Sequence, residues 1–301
     1  CPPPLLRDLI DETRALTAKP FGVNVILDPA LILRVDRADV IQTCIDARVP
    51  VLSLSFGDPT PYVAAAHAAR IAVLHQAGSV ADAQRAAGAG VDAVIAQGVE
   101  AGGHLSGPVT TLALVPRVVD AIAPTPVIAA GGIADARGLV AALALGADGV
   151  VVGTRFLATP EAAAHPRYKA KLVAATEADT IRTRLFAGGW PGTPHRVLRT
   201  PFVNQWQDDA RGSASDPDEP VVAATRLDGQ TVPVRRFDAL PPDVTTDGDL
   251  EAMCFMAGEG VGLIDAVTPA AEVVRAFVEG ARRIIDERFA PSAIAGPPRT
   301  A

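Results

Sequence analysis

The sequence predicts an α/β fold of the (β/α)8 (TIM) barrel class, and three observations carry that prediction. Short apolar runs ending in glycine or a polar residue alternate with stretches of helical period, as parallel strands and their crossover helices do. Two of those runs, Pro126-Val-Ile-Ala-Ala-Gly-Gly-Ile133 and Asp148-Gly-Val-Val-Val-Gly-Thr-Arg155, are consecutive and both close on glycines. Aromatic residues make up 4% of the 301 residues while 49% are hydrophobic. The core must therefore be filled by Val, Ala, Leu and Ile, the residues of strands buried on both faces.

The elements follow in order. Pro4–Leu16 carries Leu5, Leu6, Leu9, Ile10 and Leu16 at helical spacing. Strand-like runs then recur at Phe21–Leu27, Val51–Phe56, Ile71–His75, Ala93–Ala96, Val127–Ala129 and Gly149–Val152. Helical patterns separate them at Ala38–Ala47, Pro61–Ala69, Val80–Ala87, Leu112–Ala121 and Asp135–Leu145. Ser79-Val-Ala-Asp82 reads as a capping sequence, and Thr110 or Thr111 can cap the helix that follows it. If Val127–Ala129 is the seventh barrel strand and Gly149–Val152 the eighth, two whole units must precede Phe21. An eight-unit barrel spends about 30 residues per unit, so roughly 50 are wanting. The expectation is a barrel lacking its first two strands in this chain, with residue 1 not the natural start.

Beyond Arg155 the pattern changes. His165–Ala175 looks helical, Thr180–Phe186 and Arg196–Phe202 extended, and Asp208–Asp249 is an excursion rich in Pro, Gly, Asp and Ser, placed to form a lid. Within it, Val221–Leu227 and Thr231–Val234 flank Asp228-Gly229, a strong hairpin signal. Pro269–Phe289 closes the pattern as a helix with Val273, Val274, Phe277, Val278, Ala281, Ile284 and Ile285 on one face. The organisation expected is a barrel over 1–157, a smaller appended region over 158–257 and a C-terminal helix over 258–301 that returns to the barrel.

Composition narrows the function. A formal net charge of −7 without a basic stripe argues against nucleic acid. Cys1, Cys44 and Cys254 are far apart and share no CxxC spacing, and the five histidines show no HExxH or HxxxH pair, so no metal site is expected. No run is long and apolar enough for a bilayer, and no signal-peptide pattern is present, which leaves a reducing cytoplasm as the default. Exposed apolar helix faces are compatible with a homodimer.

The glycines at two adjacent strand ends point to a phosphate. Backbone N–H groups can approach an anion closely there, and barrels often hold one in the loops after the seventh and eighth strands. Ala129-Ala-Gly-Gly132 and Gly153-Thr154 form that pair. His104 follows Gly102-Gly103 after another strand, which places it at the barrel mouth, where a neutral imidazole can take a proton. The plainer alternative is a loop histidine bonded to a carboxylate such as Glu100. His75 ends a strand and is the other histidine placed near the mouth, whereas His67, His165 and His195 suit helix or surface roles. Asn24 and Gln76 put amides at strand ends, suited either to a heterocycle edge or to the barrel-top backbone.

These residues resemble the nitronate monooxygenases, formerly called 2-nitropropane dioxygenases. The match lies in Pro20-Phe-Gly-Val-Asn24, Gln97-Gly-Val-Glu-Ala-Gly-Gly-His104, Ala129-Ala-Gly-Gly132, Ala147-Asp-Gly-Val-Val-Val-Gly-Thr-Arg155 and Ala257-Gly-Glu-Gly-Val-Gly-Leu-Ile264, and runs from about Pro4 to Ile285. The resemblance implies an FMN-dependent barrel in which His104 is the catalytic base, drawing an α-proton from a nitroalkane or orienting the nitronate. It implies FMN contacts from Asn24, Gln76, Gly102, Ala130, Gly131, Gly132, Gly153 and Thr154. The implied partners are a nitronate or nitroalkane and O2, with a carbonyl compound and nitrite released.

This chain departs from the pattern in two places. The family's Ala-Pro-Met element touching the flavin is absent, so a preparation truly lacking it should bind FMN poorly. Leu105-Ser-Gly107 stands where many relatives carry a basic residue and glycine, which bears on substrate choice. Two rival functions fit the same outline. One is an NAD(P)H-dependent FMN reductase of quinone or enoyl-acyl carrier protein type, and the other a non-redox barrel binding a phosphorylated ligand.

Overall fold

The computed structural model describes residues 2–31, 35–208 and 218–289. Its first half is a run of α1 (Pro3–Leu16), β1 (Gly22–Ile26), α2 (Arg37–Asp46), β2 (Val51–Ser55), α3 (Thr60–Ala68), β3 (Ala72–Ala77), α4 (Val80–Gly88) and β4 (Ala93–Gln97). There follow β5 (Gly103–His104), α5 (Thr111–Ile122), β6 (Val127–Ala130), α6 (Ala136–Ala144), β7 (Gly149–Val151) and the short α7 (Thr154–Leu157). Six strands form one parallel sheet in the order β1-β2-β3-β4-β6-β7. Among the described residues β1 and β7 are its two edges.

Alternation along the strands sorts their side chains. Val25, Leu52, Leu54, Val73, Val94, Ala96, Val127 and Ala129 are buried against the helices, in one core with Ile41, Val63, Leu114 and Val118. Residues of the opposite parity face away from the helices: Asn24, Ser53, Gln76, Gln97 and Ala130 among them. That second face carries most of the polar side chains of the sheet, which is where a barrel keeps its chemistry.

Local signals account for the element boundaries. The Ser79 side chain accepts from the Asp82 N–H and starts α4, and Asp135 accepts from the Arg137 and Gly138 N–H groups at the head of α6. Thr110 precedes α5 without a side-chain capping bond; the Glu100 carboxylate does that work by accepting from the Thr111 N–H.

The second half comprises α8 (Pro166–Ala174), β8 (Thr180–Thr183), β9 (His195–Leu198), α9 (Pro201–Trp206), β10 (Val221–Leu227), β11 (Gln230–Arg235), β12 (Asp247–Gly248) and α10 (Ala270–Arg288). Strands β5, β9 and β8 make a small antiparallel sheet, and β11, β10 and β12 another. The hairpin forms about Asp228 and Gly229, both at positive φ. The extended reading of Arg196–Phe202 holds only through Leu198. Thr200 then caps, with Pro201 at the first helical position, and the chain turns into α9. Part of the expected lid, 209–217, lies outside the described residues. The rest packs its hairpin over Leu250, Met253 and Phe255. Among the described residues no helix is long and apolar enough to cross a membrane.

Candidate functional site

The corner after β6 is built from two glycines. Gly131 sits at φ +110° and Gly132 at φ +71°, conformations that L side chains rarely adopt. A Cβ on Gly131 would also lie 2.9 Å from the Gly98 carbonyl. The strand end is tied to its neighbours: the Gly98 N–H donates to the Ala130 carbonyl at 2.8 Å, and the Thr111 hydroxyl donates to the Gly131 carbonyl at 3.0 Å. The corner after β7 differs. Gly153 has open space where a Cβ would stand, and it precedes α7. Thr154 turns its hydroxyl to accept the Gly258 N–H at 3.0 Å.

Both corners line one cavity of about 210 Å³. Gln76, Gln97 and Gly102 line it too, as does Ala130. Gly102 is there because a segment from the far end of the chain presses against it: a Cβ would stand 2.6 Å from the Ala257 carbonyl carbon and run into the Gly258 nitrogen. The two glutamines share a face near the carboxyl ends of β3 and β4, with Gln76 opposite Ile95, and bind the same loop. Gln76 Nε2 donates to Ser106 Oγ at 2.9 Å, while Gln97 Nε2 donates to the His104 carbonyl at 3.1 Å and its Oε1 accepts from the Ser106 N–H at 2.8 Å.

Of the expected site residues, the structure brings together Gln76, Gly102, Ala130, Gly131, Gly132, Gly153 and Thr154. Asn24 is not among them. It is the third of five residues of β1, opposite Ser53, because the strand runs on to Ile26 instead of ending at the amide. Sequence reasoning misses Gln97, yet its parity matches that of Gln76, and a strand drawn to residue 97 would show it. His75 also sits elsewhere: it shares the parity of Val73 and Ala77, is 4% exposed and faces the helices.

His104 lies deeper than a barrel mouth. It pairs with His195 across β5 and β9, and its ring packs 4.2 Å from the Trp190 indole and 5.3 Å from the His195 imidazole, centroid to centroid. Its Nε2 is buried with no hydrogen-bond partner. Burial first, then the neighbouring His195, lowers its pKa to about 3. His104 is therefore neutral at pH 7. The Glu100 carboxylate does not serve it, since both of its oxygens are engaged at Thr111. His195 is fully buried; its Nδ1 lies 3.1 Å from the Thr193 carbonyl and its Nε2 accepts from the Phe186 N–H at 3.2 Å, which fixes a neutral tautomer. Trp190, His195 and Phe56 give no signal in the sequence near His104, because the loop that carries two of them is some ninety residues away.

The comparisons with known proteins agree with this geometry. A family model described as nitronate monooxygenase matches residues 3–280. A Mycobacterium tuberculosis protein provisionally named a monooxygenase is 41% identical over 233 residues, 77% of this chain and 59% of its own length. A Rhodococcus jostii dehydrogenase of a hydroxy-methyl-oxo-octahydroindene carboxyl-CoA is 42% identical over 66% of this chain and 53% of that protein. The chain thus spans between half and three fifths of the curated relatives it matches. Among solved structures, FabK from Thermotoga maritima aligns with a TM-score of 0.76 at 34% identity, covering 96% of this chain and 84% of that one. The nitroalkane oxidase from Streptomyces ansochromogenes aligns at 0.74 and 27%, covering 93% and 86%. With a match that runs through the β6 and β7 corners, His104 and the Gly258 loop, the chain belongs to the nitronate monooxygenase family.

Proposed function

We propose that this chain is an FMN-dependent oxidoreductase that oxidises alkyl nitronates with O2 to a carbonyl compound and nitrite. The observation that carries the reading is the convergence of two glycine corners and two glutamines on one cavity. The cavity is smaller than the ~300 Å³ at which whole-ligand pockets begin, so it suits the phosphoryl end of a cofactor. The residues fit that group: Gly131, Gly132 and Gly153 leave backbone unshielded, and Thr154 keeps a hydroxyl proton for a second partner. Gln76 and Gln97 would meet the polar edge of a flavin ring, and Gly102 leaves it room. Bound there, FMN would supply redox chemistry that no side chain offers.

The protein's share is placement. His104 would stand beside the substrate as a neutral imidazole. Its low proton affinity supports the second of its two family roles, orienting a nitronate already formed, over removing a proton from a neutral nitroalkane. An anion bound at Nε2 would raise that affinity and gain a hydrogen-bond partner in the same step. The test is a titration of the chain with FMN, followed by nitrite release from ethylnitronate under air. Absence of flavin binding at millimolar FMN would refute the cofactor, and flavin binding without nitrite release would refute the substrate.

A second reading has its own support. The relation to FabK and to a CoA-thioester dehydrogenase favours a reductase or dehydrogenase using NAD(P)H. Anaerobic mixing of the flavin-loaded chain with NADH separates the two: rapid bleaching supports the reductase.

A further inference from the structure

The loop between β8 and β9 reaches across the sheet to its far edge. It is anchored at both ends: Gly188 exchanges backbone hydrogen bonds with Phe237 and Ala239, and the Pro194 carbonyl accepts from the Leu105 N–H at 2.8 Å. Between the anchors, Gly189 and Gly192 flank Trp190, with open space beside each of them. The Trp190 side chain is nonetheless 2% exposed. It lies against the His104 ring on one side and edge-on to Phe56, 4.8 Å away, on another. Its indole N–H donates to Asp28 Oδ2 at 2.9 Å, just past the end of β1.

That arrangement packs a large aromatic side chain against an imidazole whose buried Nε2 has no partner among the described residues. A buried polar atom without a hydrogen bond is costly, and functional sites are where such atoms persist. The Trp190 loop has anchors of its own, and the glycines on either side let the tip turn without moving them.

We propose that Trp190 is the specificity-determining residue of the His104 pocket, a stopper latched by Asp28 that governs which substrates reach Nε2. The inference rests on His104 being the substrate-binding imidazole. A small planar anion slips in with a slight displacement of the indole, whereas a branched one requires the latch to release.

Carbethoxylation of histidines by diethyl pyrocarbonate, read by peptide mass, tests this without flavin or nitronate. In the parent chain His104 should label at least tenfold more slowly than the half-exposed His67. In Trp190→Ala it should approach the His67 rate, and in Asp28→Ala it should fall between. His195, fully buried, reports on the fold and should stay unlabelled throughout. If Trp190→Ala also labels His195, Asp28→Ala decides, since it keeps the indole and removes the latch, together with one local turn bond from the Ala30 N–H that lies away from His104 in sequence. The proposal is overturned if His104 labels as fast as His67 in the parent. It is equally overturned if both variants leave His104 slow, or if both label His195, since the loop is then part of the fold. In the flavin-loaded chain, Trp190→Ala should raise kcat/KM for a branched nitronate relative to ethylnitronate at least fivefold, and an unchanged ratio would overturn the selectivity. Failure of nitronate oxidation altogether would remove the proposed function and leave the labelling result standing.

Discussion

Two regions face each other across the candidate site and are made in opposite ways. The corner at β6 and β7 is built from what is absent: glycines that let backbone segments touch, and open space beside Gly153. The pocket around His104 is built from bulk, with Trp190 and His195 packed against the imidazole and Phe56 backing Trp190. On the proposed reading the first region would accept a charged group with little rearrangement, and the second, which keeps the His104 Nε2 buried, would have to rearrange to use it. Binding and selection would then be separated in space, and substitutions should separate them in measurement.

The largest expected effect is at Gly102. An alanine there meets backbone on the Ala257–Gly258 segment, which has nowhere to go. Overpacking against fixed backbone costs about 1–3 kcal/mol, occasionally more, so Gly102→Ala should lose both stability in urea and flavin affinity. Gly153→Val is its counterpart. Its Cβ would meet nothing within 4 Å, so it should leave the urea midpoint nearly unchanged while cutting FMN affinity at least tenfold. Equal affinity in that variant would remove the phosphate from the second corner.

His104→Asn comes next. It should keep flavin and lose about 10²-fold in turnover of nitronate, within the range for a positioned imidazole. Retained turnover would confine the chemistry to the glycine side of the comparison. Stability should respond to pH through the same pocket. The unfolded imidazoles titrate near 6.5, but burial lowers His104 to about 3 and His195 to about 4 in the fold. Below pH 6.5 the unfolded chain takes up protons that the fold refuses. Stability complete above 6.5 is therefore lost as pH falls toward those values, by up to about 1.4 kcal/mol per pH unit for each imidazole. Thermal melts at pH 7.0 and pH 5.0 should show the loss, and His104→Asn should reduce it in part, since His195 and the buried His75, also lowered by burial, still contribute.

The same division explains which features are legible in the sequence. Strand periodicity and the doubled glycines are local, so six strands and the corner residues Ala130 to Gly132, Gly153 and Thr154 can be read from the residue order alone. Asn24 departs from its expected place by two residues of strand, enough to move it from a strand end to mid-strand. Gln97 escapes for the opposite reason, a strand that runs one residue beyond its apolar stretch. The His104 pocket is illegible on other grounds: its walls come from residues 190 and 195, and it is the small antiparallel pairing of β5 with β9 that sets His195 beside His104. Local patterns reveal backbone devices, whereas pockets made of side chains from distant segments emerge only from tertiary packing.

The smallest effect would decide how Thr154 divides its hydroxyl. It accepts the Gly258 N–H, which holds the loop beside Gly102, and its own proton remains available to the cavity. Thr154→Val removes both services at nearly constant shape. Losing one hydrogen bond should lower stability by about 1 kcal/mol. If the hydroxyl mainly fastens the loop, FMN affinity should fall less than tenfold, and Thr154→Ser should restore stability and affinity together. An affinity loss as deep as that of Gly153→Val, with stability untouched, would instead make the hydroxyl a direct ligand of the anion. The β7 corner would then rest on a side chain, and its contrast with the His104 pocket would narrow to the β6 corner alone.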